Sequence, residues 1–158
     1  MLKKLALAIC IAAPALAHAV TLFPVGTVFH GKVITGLEGM VGSPSNPVPF
    51  LVRVTSAEDG ENTFTNKLSC VLSLSAAEDG NAVAARLYGR LNRIECAFPY
   101  SKGTVVAEGY LATGGVLGLV PKFVHTQGQG GSQILVPSVE AGSPVDVVLT
   151  KSVIVDGD

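Results

Sequence analysis

Apolar and polar residues alternate with period two over stretch after stretch of this chain, while strong helix signals are nearly absent. That periodicity limits the fold to β architectures. Residues 27–35 show it most clearly: Val28, His30, Lys32 and Ile34 fall on one face, and Thr27, Phe29, Gly31 and Val33 on the other. Residues 39–47 read as a Gly/Ser/Pro/Asn loop. Residues 48–55 read as a strand whose first residues belong at an edge or rim, because proline cannot donate to a central ladder. An acidic turn is expected over 56–62 and a third strand over 64–74. Residues 76–85 are ambiguous: residues 81–86 carry helix propensity, whereas Asp79-Gly80 is a hairpin-type pair. The strand reading, continuing over 85–96, is preferred. Residues 104–112 and 116–124 pair around Thr113-Gly114-Gly115, and residues 127–133 form a polar, glycine-rich, mobile loop. Residues 134–137 and 145–155 supply the last strands, separated by Ala141-Gly142-Ser143-Pro144. The sum is about eight short strands in one all-β domain, a single small β-barrel or barrel-like sandwich. The 18 glycines suit its turns, bulges and tight bends.

The first residues stand outside that pattern. Residues 1–4 are short and basic, residues 5–16 are a compact apolar run, and Ala17-His18-Ala19 fits small-x-small cleavage. The run is too short to cross a bilayer, so residues 1–19 read as a secretory signal peptide cut between Ala19 and Val20. A lipoprotein reading centred on Cys10 is disfavoured, because Ile9 stands where a small residue is needed. The mature chain, residues 20–158, then has the size of one domain. Without Lys3 and Lys4 it carries 9 basic against 12 acidic residues, a formal charge of −3. Nonspecific nucleic-acid binding needs a strongly basic face, so no direct nucleic-acid partner is expected. Two cysteines remain, Cys70 and Cys96. In an exported protein they read as one disulfide closing a loop of about 27 residues, worth on the order of 3–4 kcal/mol.

Several motifs share one resemblance. Residues 23–53 join Pro24, Gly26 and Thr27 to a strand carrying Gly31, a Thr35-Gly36-Leu37 step, and Pro47-Val48-Pro49 leading into a second strand. Further on come Lys67-Leu68-Ser69-Cys70-Val71, then Ala85-Arg86-Leu87-Tyr88 through Arg93-Ile94-Glu95-Cys96. Glu108-Gly109-Tyr110-Leu111 is followed by Gly118-Leu119, and the chain closes on Glu140-Ala141-Gly142-Ser143 before alternating valines. In this order the blocks resemble the C-terminal β-barrel domain of TraB/TrbI-type proteins, channel-scaffold components of conjugative type IV secretion systems. The resemblance covers most of residues 20–158 and implies a periplasmic barrel domain, associated with the outer-membrane core complex.

The resemblance further implies a noncatalytic assembly role without a cofactor. The partners it implies are an outer-membrane lipoprotein, a second periplasmic β-protein, a full-length TraB/TrbI-type protein and further copies in a ring. The contact elements it suggests are residues 21–27 and exposed strand edges. Family members carry an inner-membrane helix, a proline-rich stalk and a helical hairpin forming the outer-membrane pore. Here a signal peptide stands in place of helix and stalk, and residues 121–133 are far too short for two spanning helices. What is expected is the barrel platform, with residues 121–133 as a replacement loop facing where the pore hairpin would emerge.

Other residues offer little chemistry. Arg86, Arg90 and Arg93 are the densest basic cluster, but strict alternation puts Arg93 on the face opposite Arg86 and Arg90. Glu58, Asp59, Glu61, Glu78 and Asp79 read as turn acids, since no calcium-loop spacing is present. Gly114-Gly115 and Gly128 to Gly131 lack the strand, helix and lysine of a phosphate loop. His30 and His125 have no zinc-ligand spacing, and no nucleophile elbow surrounds a serine. No catalytic, cofactor or metal residues are therefore assigned. The rival reading is a periplasmic ligand- or partner-binding module, an inhibitor or accessory factor unrelated to channel assembly.

Overall fold

The computed structural model describes residues 20–38, 46–60, 63–65, 69–78, 86–98 and 101–156. The expected signal peptide, the body of the 39–47 loop and the ambiguous residues 79–85 lie outside them. The strands are β1 Val20–Phe23, β2 Val28–Val33, β3 Leu37–Glu38, β4 Val48–Glu58, β5 Thr63–Thr65, β6 Ser69–Glu78 and β7 Leu87–Phe98. They continue with β8 Ser101–Thr113, β9 Val116–Leu117, β10 Lys122–Gln127, β11 Gln133–Val139, β12 Pro144–Leu149 and β13 Val153–Asp156. Among the described residues there is no α-helix, only a 3-10 turn over Gln129–Gly131.

Six of these strands close on themselves. The order β12-β2-β4-β6-β7-β8 is antiparallel throughout, and β8 returns to pair with β12. The all-β barrel expected from the alternation is therefore the fold, and closure leaves the staves no long unpaired edge. Inward positions carry Phe29 and Val33 of β2, Phe50 and Val52 of β4, Leu72 and Leu74 of β6, Leu87, Leu91 and Ile94 of β7, Leu111 of β8, and Val147 and Leu149 of β12. Six strands make so narrow a cylinder that these side chains fill it, leaving a packed core. Phe23 joins the same core, its ring edge-on to Phe29 with centroids 5.0 Å apart. Its strand β1 pairs with β13 in a small second sheet.

The closed wall demands sharp local bends, and the chain meets them in two ways. At Gly31 an added Cβ would run into Val52 and the Arg53 carbonyl, and at Gly109 it would strike the Val148 carbonyl across the closing seam. Only glycine fits such approaches. The second device is the bulge. Pairing between β2 and β4 shifts at His30/Gly31, so the buried phase of β4 runs Phe50, Val52, Val54 and then jumps to Ala57. Pairing along β7 shifts around Leu91 to Arg93, so its buried phase passes from Leu91 to Ile94. This overturns the expectation for Arg93: the extra residue carries it to the outer face with Arg90, and both are exposed.

Cys70 and Cys96 are bonded, as expected. They sit directly opposite each other on β6 and β7, with Cα atoms 4.0 Å apart, and both point into the core. The proline expectation for β4 also holds. Val48 to Phe50 pair with β6 but not with β2. Leu51 accepts from Ile34 on the β2 side, so Pro49, two residues earlier, turns its missing donor to that open edge.

Strand extents differ from the sequence reading in several places. β4 runs on through Glu58, so Ser56 to Glu58 are strand and not turn, and they pair with β5. The third strand is two elements, β5 and β6. Residues 116–124 break after Leu117, where Gly118 and the Leu87–Leu119 bridge redirect the chain.

Candidate interaction surface

Residues 122–139 leave the barrel wall as a two-stranded ribbon, and not as the loop expected over 121–133. β10 and β11 pair in unbroken antiparallel register from Lys122 opposite Ser138 to Gln127 opposite Gln133. The Gln129–Gly131 turn caps the tip, where the Gly128 amide donates to the Ser132 carbonyl at 2.7 Å. At the root, Ser138 and Val139 pair with β3, and the Lys122 ammonium reaches both Glu140 carboxylate oxygens at 3.3 Å.

Beyond that root the ribbon is bare. Every residue of β10 is exposed, and Phe123, Val124, Ile134 and Leu135 keep 46%, 40%, 46% and 55% of their surface in water. Register places Phe123, His125, Leu135 and Pro137 on one face, and Val124, Thr126, Ile134 and Val136 on the other. Both faces are thus apolar, and no residue of 121–139 is acidic. Apart from the two β3 pairings, neither long edge has a partner strand among the described residues. A two-stranded hairpin gains little stability alone in water. An exposed apolar surface of this kind is the usual mark of a docking site. Val116, Leu117 and Val120, on the chain leading in, are exposed as well.

The positions singled out by motif fall into two structural groups. Pro24, Gly26 and Thr27 form a tight turn in which the Thr27 amide and hydroxyl both donate to the Pro24 carbonyl, at 3.1 and 2.7 Å. Gly26 takes φ +87°, as the third position of a type II turn requires. The turn is stapled to the end of β12 by Gly26 to Leu149 and Leu149 to Thr27 hydrogen bonds, both 2.9 Å. The second group gathers at the ribbon root. Leu37 pairs with Val139, Gly36 abuts the Val139 carbonyl and the Ala141 amide, and the Gly142 amide donates to Val33. Pro47 and Pro49 are exposed at the start of β4. Tyr110, beside Gly109, lines an open groove of about 440 Å3 with Tyr88, Arg90, Asn92 and Leu117.

Sequence reasoning passed over one polar cluster. His30 Nδ1 lies 2.7 Å from Asp146 Oδ1, and Nε2 lies 3.6 Å from Glu58 Oε2. Three adjacent staves, β4, β2 and β12, are thereby joined on the outer wall. The other Asp146 oxygen accepts from the Gly114 amide at 3.2 Å, holding the β8–β9 turn. Partial burial disfavours the charged imidazole, but the Asp146 hydrogen bond and charge, with Glu58 adding to them, outweigh it and raise the His30 pKa above 6.5. Among the described residues no three His, Cys, Asp or Glu side chains converge closely enough to hold a metal ion. His125 is exposed on the ribbon opposite Leu135.

The remaining candidates are structural. Arg86 is half-buried, and its Nη2 donates to the Gly118 carbonyl at 3.2 Å, tying the start of β7 to the foot of the ribbon. Gly114 and Gly115 form the expected hairpin turn, with φ +56° and +78°. No protein-family model and no curated protein matches this chain.

Proposed function

We propose that this protein is a noncatalytic assembly component of a conjugative type IV secretion apparatus, a TraB/TrbI-like barrel platform at the periplasmic side of the outer membrane. The observation that carries this reading is the ribbon, apolar on both faces, rooted between β9 and β12. On the resemblance, residues 121–133 replace the family's pore hairpin, and the ribbon's fixed register makes it a contact arm with a packed barrel behind it. Backbone groups on its free edges can add a strand, and Phe123 and Leu135 can fill pockets in a partner. The partners in this reading are the core's lipoprotein, its second β-protein, a full-length TraB/TrbI-type subunit, and neighbouring copies.

A photo-crosslinking amino acid at position 123 or 135 tests it, in cells carrying a conjugation apparatus. Adducts with secretion-core subunits are expected, and they should vanish when the crosslinker sits at Arg93 on the outer face of β7. Finding only uncrosslinked monomer would sink the assembly role. The 440 Å3 groove beside Tyr88 and Tyr110 is what favours the rival binding-module reading. Crosslinks confined to that groove, in cells with no conjugation genes, would favour it.

A further inference from the structure

On the outer wall, Lys32 of β2 and Arg53 of β4 are direct cross-strand partners. Both point outward, since Gly31, Val33, Val52 and Val54 on either side of them are buried. Like charges placed directly opposite each other on a sheet are unfavourable. Here nothing offsets them: neither side chain has an ion-pair partner among the described residues. The nearest acid along β12, Asp146, is already held by His30 and the Gly114 amide. The pair lines a groove of about 260 Å3 with Ile34, Thr55 and Gly142. The Thr55 hydroxyl donates to the His30 carbonyl at 3.0 Å, and the Gly142 amide donates to Val33. Lys32 and Arg53 are therefore what the groove has left to offer an anion.

We infer that this groove binds a carboxylate-bearing, extended peptide segment of a partner protein, an acidic side chain next to an apolar one. The Arg53 guanidinium presents a planar fork that matches a carboxylate in bidentate fashion, and Lys32 adds a point charge beside it. Half-buried Ile34 supplies an apolar wall that an aliphatic side chain would cover and a hydrated inorganic anion would not. An anionic membrane is a poor fit, because lipid surfaces are held by clusters of about four to eight basic residues and this site has two. The inference is independent of the ribbon and of the assembly role proposed for it.

The test is fluorescence anisotropy at low salt with a labelled peptide of alternating Glu and Leu, against the same peptide with Gln for Glu. The Glu peptide should bind and the Gln peptide should not. Lys32→Gln and Arg53→Gln should each weaken binding about tenfold, the size of one lost charge-assisted contact. Arg93→Gln changes the net charge equally elsewhere on the wall and should leave binding intact. Because removing one of two opposed cations relieves repulsion, both groove variants should melt no lower than the parent, which separates lost binding from lost folding. Equal affinity for the Glu and Gln peptides would overturn the inference, as would equal losses in all three variants. Competition by inorganic phosphate as strong as by the Glu peptide, or tighter binding to phosphatidylglycerol vesicles than to the peptide, would assign the pair to phosphate and overturn it too.

Discussion

Reducing the Cys70–Cys96 bond should destabilise the barrel by an amount that its chain position sets. The bond closes a loop of about 27 residues, for which the loss of unfolded-chain entropy amounts to about 3.5 kcal/mol at 25 °C. The two cysteines already face each other in the β6–β7 ladder, so the native register needs no adjustment when the bond is absent. Urea unfolding of the same protein, oxidised and reduced, isolates this term without a substitution. With a slope of about 2 kcal/mol per molar urea, the reduced midpoint should fall by about 1.7 M. Burial gives a second readout: the cysteines are 1% and 0% exposed. Reductant can reach them only after the wall opens, so native-state reduction should be at least about 100-fold slower, on the order of the opening equilibrium, than reduction of the urea-unfolded chain. Coincident midpoints would refute the loop-entropy argument. Reduction without urea as fast as in the unfolded chain would refute the inward placement of the sulfurs.

The His30 cluster makes stability depend on pH. Folding raises the His30 pKa, so its contribution is complete below pH 6.5, the unfolded value, and is lost as pH rises through the higher folded value. The melting temperature gap between wild type and His30→Gln should therefore be wider at pH 5.5 than at pH 8.5, and a constant gap would show that Asp146 and Glu58 do not favour the imidazolium. Gly109→Ala should cost about 1–3 kcal/mol in chemical denaturation, because the new methyl meets the Val148 carbonyl at the seam; no loss would mean β8 and β12 are not in that register. Phe123→Ser with Leu135→Ser should leave stability within about 0.5 kcal/mol, as for exposed positions, while lowering binding of an apolar dye. A large loss of stability there would show that the ribbon packs against the barrel.

The alternation made the barrel legible because the inner face of every stave had to be apolar and the outer face did not. Where a bulge inserts one residue, the alternation changes phase and sequence reading carries the error forward, which is how Arg93 came out on the wrong face. Pro49 was readable because its missing donor is a local property. The ribbon was only half readable: Phe123, Val124, Ile134 and Leu135 fall in expected strands, but they are apolar on both faces, so no amphipathic period pairs them, and the glycines at the tip suggest a loop. His30 and Asp146 are 116 residues apart, and only the placement of β12 beside β2 brings them together.

That placement has a consequence for when the fold can exist at all. β12 is the stave between β2 and β8, so the wall closes only after Pro144–Leu149 has joined strands made long before it. A chain emerging in order, from a ribosome or through a membrane, carries two waiting edges until Pro144–Leu149 is free. Such late, long-range closure makes folding slow and leaves the unfinished sheet open to strand exchange with neighbours. Truncation anywhere before Pro144 would fix the chain in that sticky state. The arrival of β12 decides between a sealed cylinder and an aggregate.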